Sequence, residues 1–286
     1  MKGFLKHRRD AAASDAAPGA AESPYVFGSA GGCQVWVAAS AAQRARAWAL
    51  VYGVYLAKGY AAVDPQRLWY GLHDALPETA TFLAERDGQA VAAFSVVPDS
   101  PLGLPADAAF GPELAALRRP GRRLCELHNL ASVDSELHRG AETLNHLFKL
   151  AFLVARRLEL ATDFVIRVSP QHRPFYRRLL LFRDAGAERA GGGPGTSPGM
   201  LMALDLETAE SRYRRKYGAG PESFYGFFVD PGTEPGILAW LKAGRRPLDE
   251  AALRRFFIAD RPLVPGASEA ARRCLQERYP GCNLGG

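Results

Sequence analysis

The sequence predicts a mixed α/β (α+β) fold, in which one sheet carries helices on both faces and a helical extension follows. Two β-rich runs in residues 80–98 are joined at Asp87-Gly88, a dipeptide typical of a tight hairpin turn. That hairpin excludes an all-parallel sheet. Before and after the hairpin, some segments have apolar residues at strand spacing and others at helix spacing. The remaining strands and helices therefore belong to the same layered domain.

The first elements begin after a long polar segment. Residues 1–32 are rich in Ala, Gly, Ser and Pro without periodicity, which predicts a disordered tail. A β-rich run at 33–39 predicts the first strand. Ser40 and Gln43 then have the spacing of a helix capping box, and Lys58-Gly59 predicts the end of that helix.

The middle of the chain holds the longest predicted strand. Asp64-Pro65 has the form of a helix start, and a short helix is predicted around 113–118. Residues 122–133 then predict a strand. Simple alternation along it places four side chains on one face, unless a bulge changes the register: Leu124, Glu126, His128 and Leu130.

The second half predicts two more strands and several helices. A strongly amphipathic helix follows Arg139-Gly140, and residues 162–168 predict a strand after it. Ser169-Pro170 begins a short helix, and 199–206 predicts a buried strand. Four helices are expected in the extension after residue 207, at 207–217, 234–243, 247–258 and 268–278. The expected division is therefore a tail at 1–32, a domain at 33–206 and a helical extension at 207–286.

Composition excludes a globally disordered, collagen-like or coiled-coil protein. The chain has 286 residues, 48% of them hydrophobic, and a formal net charge of +6, which is typical of a globular protein that meets anionic partners. Its four cysteines have neither the spacing of a zinc site nor a disulfide framework, so no metal is expected. The start lacks the apolar run of a signal peptide, and no stretch is long enough for a membrane span. We therefore expect a cytoplasmic protein.

Three segments resemble a known superfamily over about residues 33–206. In 124–133 a Glu precedes an apolar strand end, His138-Arg139-Gly140-Ala141 opens the long helix, and 170–176 reads PQHRPFY before Leu181-Phe182 and Gly186. Together they resemble the GNAT acyltransferases. The Pro-x-His-x-x-Phe-Tyr form is more narrowly similar to the long-chain N-acyl amino acid synthases, relatives of the acyl-homoserine-lactone synthases.

The resemblance implies a mostly antiparallel sheet with a splayed central strand pair that receives the acyl-pantetheine arm. The backbone of Leu130, Ala131, Ser132 and Val133 would bind this arm, since a splayed strand leaves amide groups unpaired. Arg139, Gly140 and Ala141 would bind a phosphate at the helix start. Because only one glycine is present there, the site suits the single phosphodiester of a carrier-protein arm better than coenzyme A.

The resemblance also implies catalytic residues. Glu126 would accept a proton from the attacking amine, and Tyr176 would protonate the leaving thiolate. His128 and His172 would orient substrate or relay protons. Each side chain has an ordinary structural alternative: Glu126 paired with a nearby arginine (Arg122, Arg123 or Arg167), Tyr176 in the core, and each histidine simply hydrogen-bonded.

The predicted activity is transfer of a medium- or long-chain acyl group from an acyl carrier protein, or from acyl-CoA, to the amine of an amino acid or similar small molecule. Neither a bound cofactor nor a nucleic-acid partner is expected. An acyl-enzyme is not expected either, because no Ser or Cys lies in a nucleophile motif. Three alternatives stay open: a short-chain acetyl-CoA-dependent acetyltransferase, an acyl-homoserine-lactone synthase that uses S-adenosylmethionine, and a non-catalytic basic binding module.

Two further sets of residues have an open role. An arginine cluster could dock an acidic carrier protein, although charge runs are more often solvated faces; it comprises Arg118, Arg119, Arg122 and Arg123. Aromatic residues of the first helices could line an acyl or acceptor pocket or simply pack the core; these are Trp48, Tyr52, Tyr55 and Tyr60.

Overall fold

One mixed sheet organises the chain. The computed structural model describes residues 23–27, 32–133, 142–189 and 199–284. Within them, eight strands are hydrogen-bonded in the order β1-β2-β3-β4-β5-β6-β8-β7. Their bounds are β1 Tyr25–Phe27, β2 Cys33–Val37, β3 Ala80–Arg86, β4 Gln89–Pro98, β5 Leu124–Ser132, β6 Asp163–Val168, β7 Arg183–Arg189 and β8 Gly199–Asp205. All neighbouring pairs are antiparallel except β5 and β6, which are parallel.

Helices cover both faces of this sheet. Their bounds are α1 Ala41–Ala57, α2 Asp107–Leu117, α3 Glu142–Leu153, α4 Arg173–Arg178, α5 Leu206–Tyr217, α6 Phe224–Phe228, α7 Glu234–Gly244, α8 Glu250–Arg254 and α9 Glu269–Arg278. The wider turns 154–158 and 255–259 continue α3 and α8. In the described part of the chain, no helix combines the length and apolar character needed to cross a membrane.

Apolar side chains divide the helices between three layers. One face of the sheet packs against α3 and α5 to α7, with Phe82 and Phe94 stacked at 4.5 Å in this core. The opposite face packs against α1 and α2, through residues such as Val51 and Phe110. Helices α8 and α9 form a third layer outside α1, against the buried Trp48. The C-terminal helices therefore contribute to two different cores.

Local signals fixed several element boundaries. The hydroxyl of Ser40 accepts the backbone N–H of Gln43, whose side chain accepts the N–H of Ser40, so the predicted capping box is confirmed. At the β3–β4 turn, Asp87 and Gly88 have φ of 51° and 73°. Both values lie in the left-handed region that a type I′ hairpin turn requires, which confirms the predicted hairpin.

The central strands separate part-way along their length. β5 and β6 pair from Leu124↔Asp163 to Leu127↔Ile166, and no pair follows. The β4–β5 register shifts by one residue in the same region, where Asn129 has φ of 54°. This geometry is a β-bulge, which leaves an extra residue on one strand. The sheet is therefore open between β5 and β6 from residue 128 onward.

The bulge corrects one sequence expectation. Before it, Glu126 and His128 lie on the face that carries α1 and α2. After it, Ala131 packs under α1, whereas Leu130 packs against the α3 core on the other face. Simple alternation to Leu130 is thus wrong, because the extra residue reverses the side-chain order beyond Asn129.

Other expectations were wrong where packing overrides local pattern. Residues 64–71 are not helical despite Asp64-Pro65; only a 3₁₀ turn forms, at Leu72–Ala75. β7 and α6 were not predicted, since the sequence of β7 has little apolar alternation. β1 lies inside the predicted disordered tail, so that prediction is wrong for residues 25–27.

Contacts from two helices, α3 and α7, explain why β1 is ordered. Phe27 stacks on His146 of α3 with ring centroids 3.9 Å apart, and the Tyr25 hydroxyl lies 3.2 Å from His146 Nδ1. The indole of Trp240 donates to the carbonyl of Ser23 at 2.8 Å. These partners are distant in the sequence, and therefore the local pattern of residues 1–32 gives no sign of them.

His146 makes the stability of this corner pH-dependent. Burial and the nearby Lys149 lower its pKa to about 3. Since the unfolded chain takes up a proton on this ring below about pH 6.5, stability is lost as the pH falls from there toward 3. His146→Phe keeps the stacked ring but cannot be protonated. We expect its free energy of unfolding to fall less steeply with decreasing pH than that of the wild type, by up to about 1.4 kcal/mol per pH unit. Urea unfolding at pH 7, 5 and 4 measures it; parallel pH profiles for both proteins would contradict the assignment.

Candidate active site

An open cleft of about 200 Å³ lies where β5 and β6 separate. Its walls come from the end of α1 and the residues after it, the loop before α2, the ends of β5 and β6, and α4. The lining residues are Tyr55, Lys58, Tyr60, Trp69, Pro105, Ala106, Glu126, Leu127, His128, Asn129, Leu130, Ile166, Arg167, Val168, Ser169, His172, Tyr176 and Gly199. All four predicted catalytic side chains are among them.

Glu126 is the buried carboxylate of this cleft. Its residue is only 1% exposed, and its Oε2 accepts the backbone N–H of Ala106 at 2.8 Å. The other oxygen, Oε1, lies 3.3 Å from Nδ1 of His128. Two of the three arginines considered as alternative partners bind elsewhere, since Arg122 pairs with Asp163 and other acidic groups and Arg123 donates to a backbone carbonyl. The third, Arg167, lines the same cleft. The carboxylate is thus held by Ala106 and His128 rather than by Arg122 or Arg123.

The bulge shapes the floor next to this carboxylate. Asn129 accepts a hydrogen bond on Oδ1 from the indole of Trp69 at 3.2 Å. Trp69 in turn makes an edge contact with Tyr55, the ring centroids being 5.3 Å apart. The side chain of His128 is 28% exposed and extends from the buried Glu126 toward the open part of the cleft. A proton could therefore pass between solvent and the carboxylate along these two side chains.

Helix α4 supplies the opposite wall. Tyr176 is 7% exposed, and burial, with a smaller contribution from Tyr55, raises its pKa above the ordinary value of 10. Its phenol therefore keeps its proton at neutral and mildly alkaline pH. At His172, partial burial and the nearby Lys58 lower the pKa below its usual value, which favours a neutral ring.

Two cations also border the cleft. Lys58 is exposed at the end of α1, and Arg167 extends from β6. Arg167 passes directly over Gly199, where an added Cβ would lie 2.7 Å from the guanidinium Nε. Gly199 is therefore needed to keep the Arg167 side chain in its place. The cleft combines one buried carboxylate, a neutral phenol and two positive charges.

A comparison with protein families matches this region of the chain. The model of the N-acyl amino acid synthase FeeM family matches residues 46–205, which is 160 of the 286 residues. The chain belongs to the FeeM family of N-acyl amino acid synthases. It is an N-acyltransferase that transfers an acyl group to an amine. A search of curated proteins gave no match.

Solved structures are similar to this FeeM-family chain in fold. FeeM from uncultured soil microbes is 24% identical with a TM-score of 0.53, over 66% of this chain and 96% of that one. TofI in complex with an inhibitor and MTA is 16% identical, with a TM-score of 0.48 and coverage of 62% and 92%. The CoA-dependent acyl-homoserine lactone synthase BjaI, with SAM and isopentyl-CoA, is 16% identical, with a TM-score of 0.45 and coverage of 62% and 86%. The likeness to FeeM confirms the GNAT-like fold.

The predicted donor-binding residues have different outcomes in this FeeM-family chain. Leu130 lines the cleft. Ala131 and Ser132 continue the pairing with β4, and the Val133 N–H donates to Val91 of that strand. The predicted phosphate-binding loop, Arg139, Gly140 and Ala141, lies outside the described residues together with His138.

The structure also places other residues that the sequence singled out. Arg118 and Arg122, two members of the arginine cluster, are each held between acidic side chains, whereas Arg119 and Arg123 are exposed; docking of a carrier protein there stays a prediction. Cys125 lies in the core on the opposite face of the sheet, and burial raises its pKa well above the usual value, so it is a poor nucleophile. Of the aromatic residues, Tyr55 and Tyr60 line the cleft, whereas Trp48 is core.

Sequence reasoning missed some residues of the cleft. Trp69 and Asn129 carry no motif, although an Asn in a strand at a positive φ is typical of a bulge. Ala106 contributes only its backbone N–H, which no sequence pattern reveals. Arg167 was considered only as a partner of Glu126, because nothing in the sequence shows that β6 and Gly199 bring it to the cleft.

Proposed function

We propose that this enzyme transfers a medium- or long-chain acyl group from a carrier-protein or coenzyme A thioester to the α-amine of an amino acid. The observation that carries the proposal is the position of Glu126. A buried carboxylate, bound by Ala106 and His128, lies beside the opening between β5 and β6. A proton acceptor is thereby placed next to a gap that can hold an extended thioester arm.

The groups of the cleft support a direct transfer. The acceptor ammonium loses a proton to Glu126, directly or through His128 or water, and the free amine attacks the thioester carbonyl. Backbone N–H groups at the bulged end of β5 stabilise the oxyanion that forms. As the tetrahedral intermediate collapses, the C–S bond breaks and Tyr176 protonates the departing thiolate. The nitrogen gives up its second proton, which returns to the Tyr176 oxygen through water, and the proton on Glu126 passes to solvent. The products are an amide and a free thiol, with no acyl-enzyme.

The donor site is assigned to the separated strands. Beyond Leu127 and Ile166 the edges of β5 and β6 that face each other are not paired. Pantetheine amides can hydrogen-bond to such free edges as an added strand does. The single glycine at 140 favours a carrier-protein arm over coenzyme A, since the arm presents one phosphodiester rather than a pyrophosphate and a further phosphate.

Positive charge supports an acceptor that carries a carboxylate. Lys58 and Arg167 border the same cleft as Glu126. A guanidinium binds a carboxylate with two parallel hydrogen bonds, which would orient the adjacent α-amine. An amino acid has both groups on one carbon, so it fits this arrangement better than a simple alkylamine.

Gly199 offers a test of the Arg167 assignment without removing any charge. We expect Gly199→Ala to displace the guanidinium, because the new Cβ would lie 2.7 Å from Nε. The KM for the amino acid acceptor should rise by about 5–20-fold, equivalent to one bidentate contact, and the KM for the donor should stay unchanged. Steady-state kinetics with each substrate varied in turn measures this.

Gly111→Ala is the matched control for that substitution. Gly111 lies in α2 with no atom within 4 Å of an added Cβ, and its φ is not in the left-handed region. Both KM values should stay as in the wild type. An unchanged acceptor KM in Gly199→Ala would remove Arg167 from the acceptor site.

The proposed reaction is tested by mass spectrometry of products. Purified protein is mixed with one donor (palmitoyl-carrier protein, palmitoyl-CoA or acetyl-CoA) and with either the twenty amino acids or S-adenosylmethionine. An N-acyl amino acid from one of these mixtures identifies donor and acceptor together. Consumption of acetyl-CoA alone would instead indicate a short-chain acetyltransferase. A lactone formed only with S-adenosylmethionine would indicate the autoinducer-type reaction.

A further inference from the structure

One side of the cleft is lined by Trp69, which belongs to a segment with little regular secondary structure. We call residues 64–76 the wall segment; it contains one 3₁₀ turn and otherwise neither helix nor strand. Few backbone hydrogen bonds hold it, among them those from Arg67 to Asp64 and from Trp69 to Trp48. Its position therefore depends on side-chain contacts with other parts of the chain.

Arg261, in the loop after α8, makes a dense set of these contacts. Its guanidinium donates to Asp64 Oδ2 at 2.6 Å, to the carbonyl of Leu68 at 2.7 Å and to Gln66 Oε1 at 2.9 Å. It also lies 4.7 Å from the ring centroid of Tyr70. One planar cation thus connects four residues of the wall segment, a role that the fork geometry of arginine suits.

Two tyrosine hydroxyls extend the attachment. Tyr70 donates to the carbonyl of Phe256 at 2.7 Å, and Tyr279 donates to the carbonyl of Ala75 at 2.7 Å. A separate apolar core lies between α1, the wall segment and the C-terminal helices. Among its members are Trp48 of α1, Tyr70 and Leu76 of the wall segment, and Phe256, Phe257 and Tyr279 of the C-terminal part. Together α8, α9 and their loop hold the wall segment from outside.

The wall segment reaches the reaction site through Trp69. This side chain lines the cleft, donates to Asn129 at the bulge of β5 and contacts Tyr55 at its edge. A continuous set of contacts therefore runs from Arg261 to the bulge. The family match ends at residue 205, before the helices that make the outer contacts.

We infer that Trp69 determines acceptor specificity and that the C-terminal helices, through Arg261, are its positioning device. The inference rests on the proposed function, because it concerns the acceptor side of the same cleft. If the wall segment loosens, Trp69 no longer closes the cleft at one fixed width. Acceptors with a side chain long enough to reach the indole then lose contacts, whereas glycine and the acyl donor lose little.

Arg261→Ala is the first variant, and Arg273→Ala is its matched control. Arg273 lies on α9, is 67% exposed and pairs only with Glu269 one turn away among the contacts described. We expect Arg261→Ala to raise the KM of a large amino acid acceptor about 5–20-fold while kcat and the donor KM stay within about twofold. Arg273→Ala should match the wild type. Equal losses for glycine and for large acceptors would overturn the inference.

A double-mutant cycle tests whether the effect passes through Trp69. Trp69→Phe removes the indole N–H but keeps an aromatic ring. If Arg261 acts by positioning Trp69, then Arg261→Ala in the Trp69→Phe background should change the acceptor KM by less than about twofold. Additive effects of the two substitutions would mean a general structural role and would contradict the inference. Tyr70→Phe, which loses only the bond to Phe256, provides a milder variant if Arg261→Ala does not fold.

Hydrogen exchange tests, without an activity assay, whether Arg261 and Tyr70 hold the wall segment in place. Amides of the wall segment should exchange at least about tenfold faster in Arg261→Ala or Tyr70→Phe than in Arg273→Ala, while those of β3 and β4 stay protected. Unchanged exchange in the wall segment would contradict the inference that Arg261 and Tyr70 hold it in place. Absence of acyl transfer in the wild type would instead count against the proposed function, and so the two failures are distinguishable.

Discussion

Glu126→Gln is expected to lower kcat by about 10²–10⁴-fold, the range typical of a lost general base. The fold should persist, because the amide oxygen can still accept the N–H of Ala106 and the amide occupies the same volume. Raising the pH toward the pKa of the acceptor ammonium should restore part of the rate, since solvent then removes the proton. Steady-state and single-turnover rates across a pH series measure both effects.

Glu85→Gln is the matched control for this change. Glu85 is also a buried strand carboxylate, on β3, but it pairs with Arg46 and does not line the cleft. Its replacement should leave kcat at the wild-type value. If Glu126→Gln retains full activity as well, the carboxylate only anchors the loop before α2, and another group must accept the proton.

Tyr176→Phe is expected to have the second largest effect on catalysis. Because burial raises the pKa of this phenol, the proton is present throughout an ordinary assay range. Its removal should lower kcat by about 10–10²-fold, less than for Glu126 because a thiolate leaves readily. A donor with a more acidic thiol, such as an aryl thioester, should reduce the loss, which a purely packing role would not do.

Tyr213→Phe separates this effect from the loss of a buried hydroxyl. Tyr213 lies in α5, is 1% exposed and donates to the carbonyl of Leu180 at 2.8 Å, away from the cleft. The substitution should cost about 1 kcal/mol of unfolding free energy and leave kcat unchanged. If Tyr176→Phe loses stability by a similar amount but keeps its rate, Tyr176 is a core residue and not the acid.

The sequence predicted those elements whose signals are local. Ser40 and Gln43 define the start of α1 within four residues, and Asp87-Gly88 specifies the β3–β4 turn by the φ values that those residues tolerate. Periodicity likewise indicated α5, α7 and α9 to within two residues of their observed bounds. In each case the physical cause lies within one or two helical turns or one tight turn, so no knowledge of the partner elements is needed.

Candidate site residues were predictable from the resemblance, but their surroundings were not. Glu126, His128, His172 and Tyr176 all line one cleft, as a shared site requires. The backbone of Ala106 and the side chain of Trp69 join them from loops that have no motif. The bulge in β5 also changes which face the side chains after Asn129 occupy, so simple alternation predicts their faces wrongly.

The sequence by itself determined the fold class, the hairpin, most helices and the acyltransferase family. Only the tertiary structure decided where β5 and β6 part, which face carries Glu126 and what holds the wall of the cleft. The physical reason is the range of the interactions involved. Caps and turns are stabilised by neighbours in the chain, whereas Arg261 binds Asp64 across 197 residues. Such a contact exists only once the loop after α8 has packed against the wall segment.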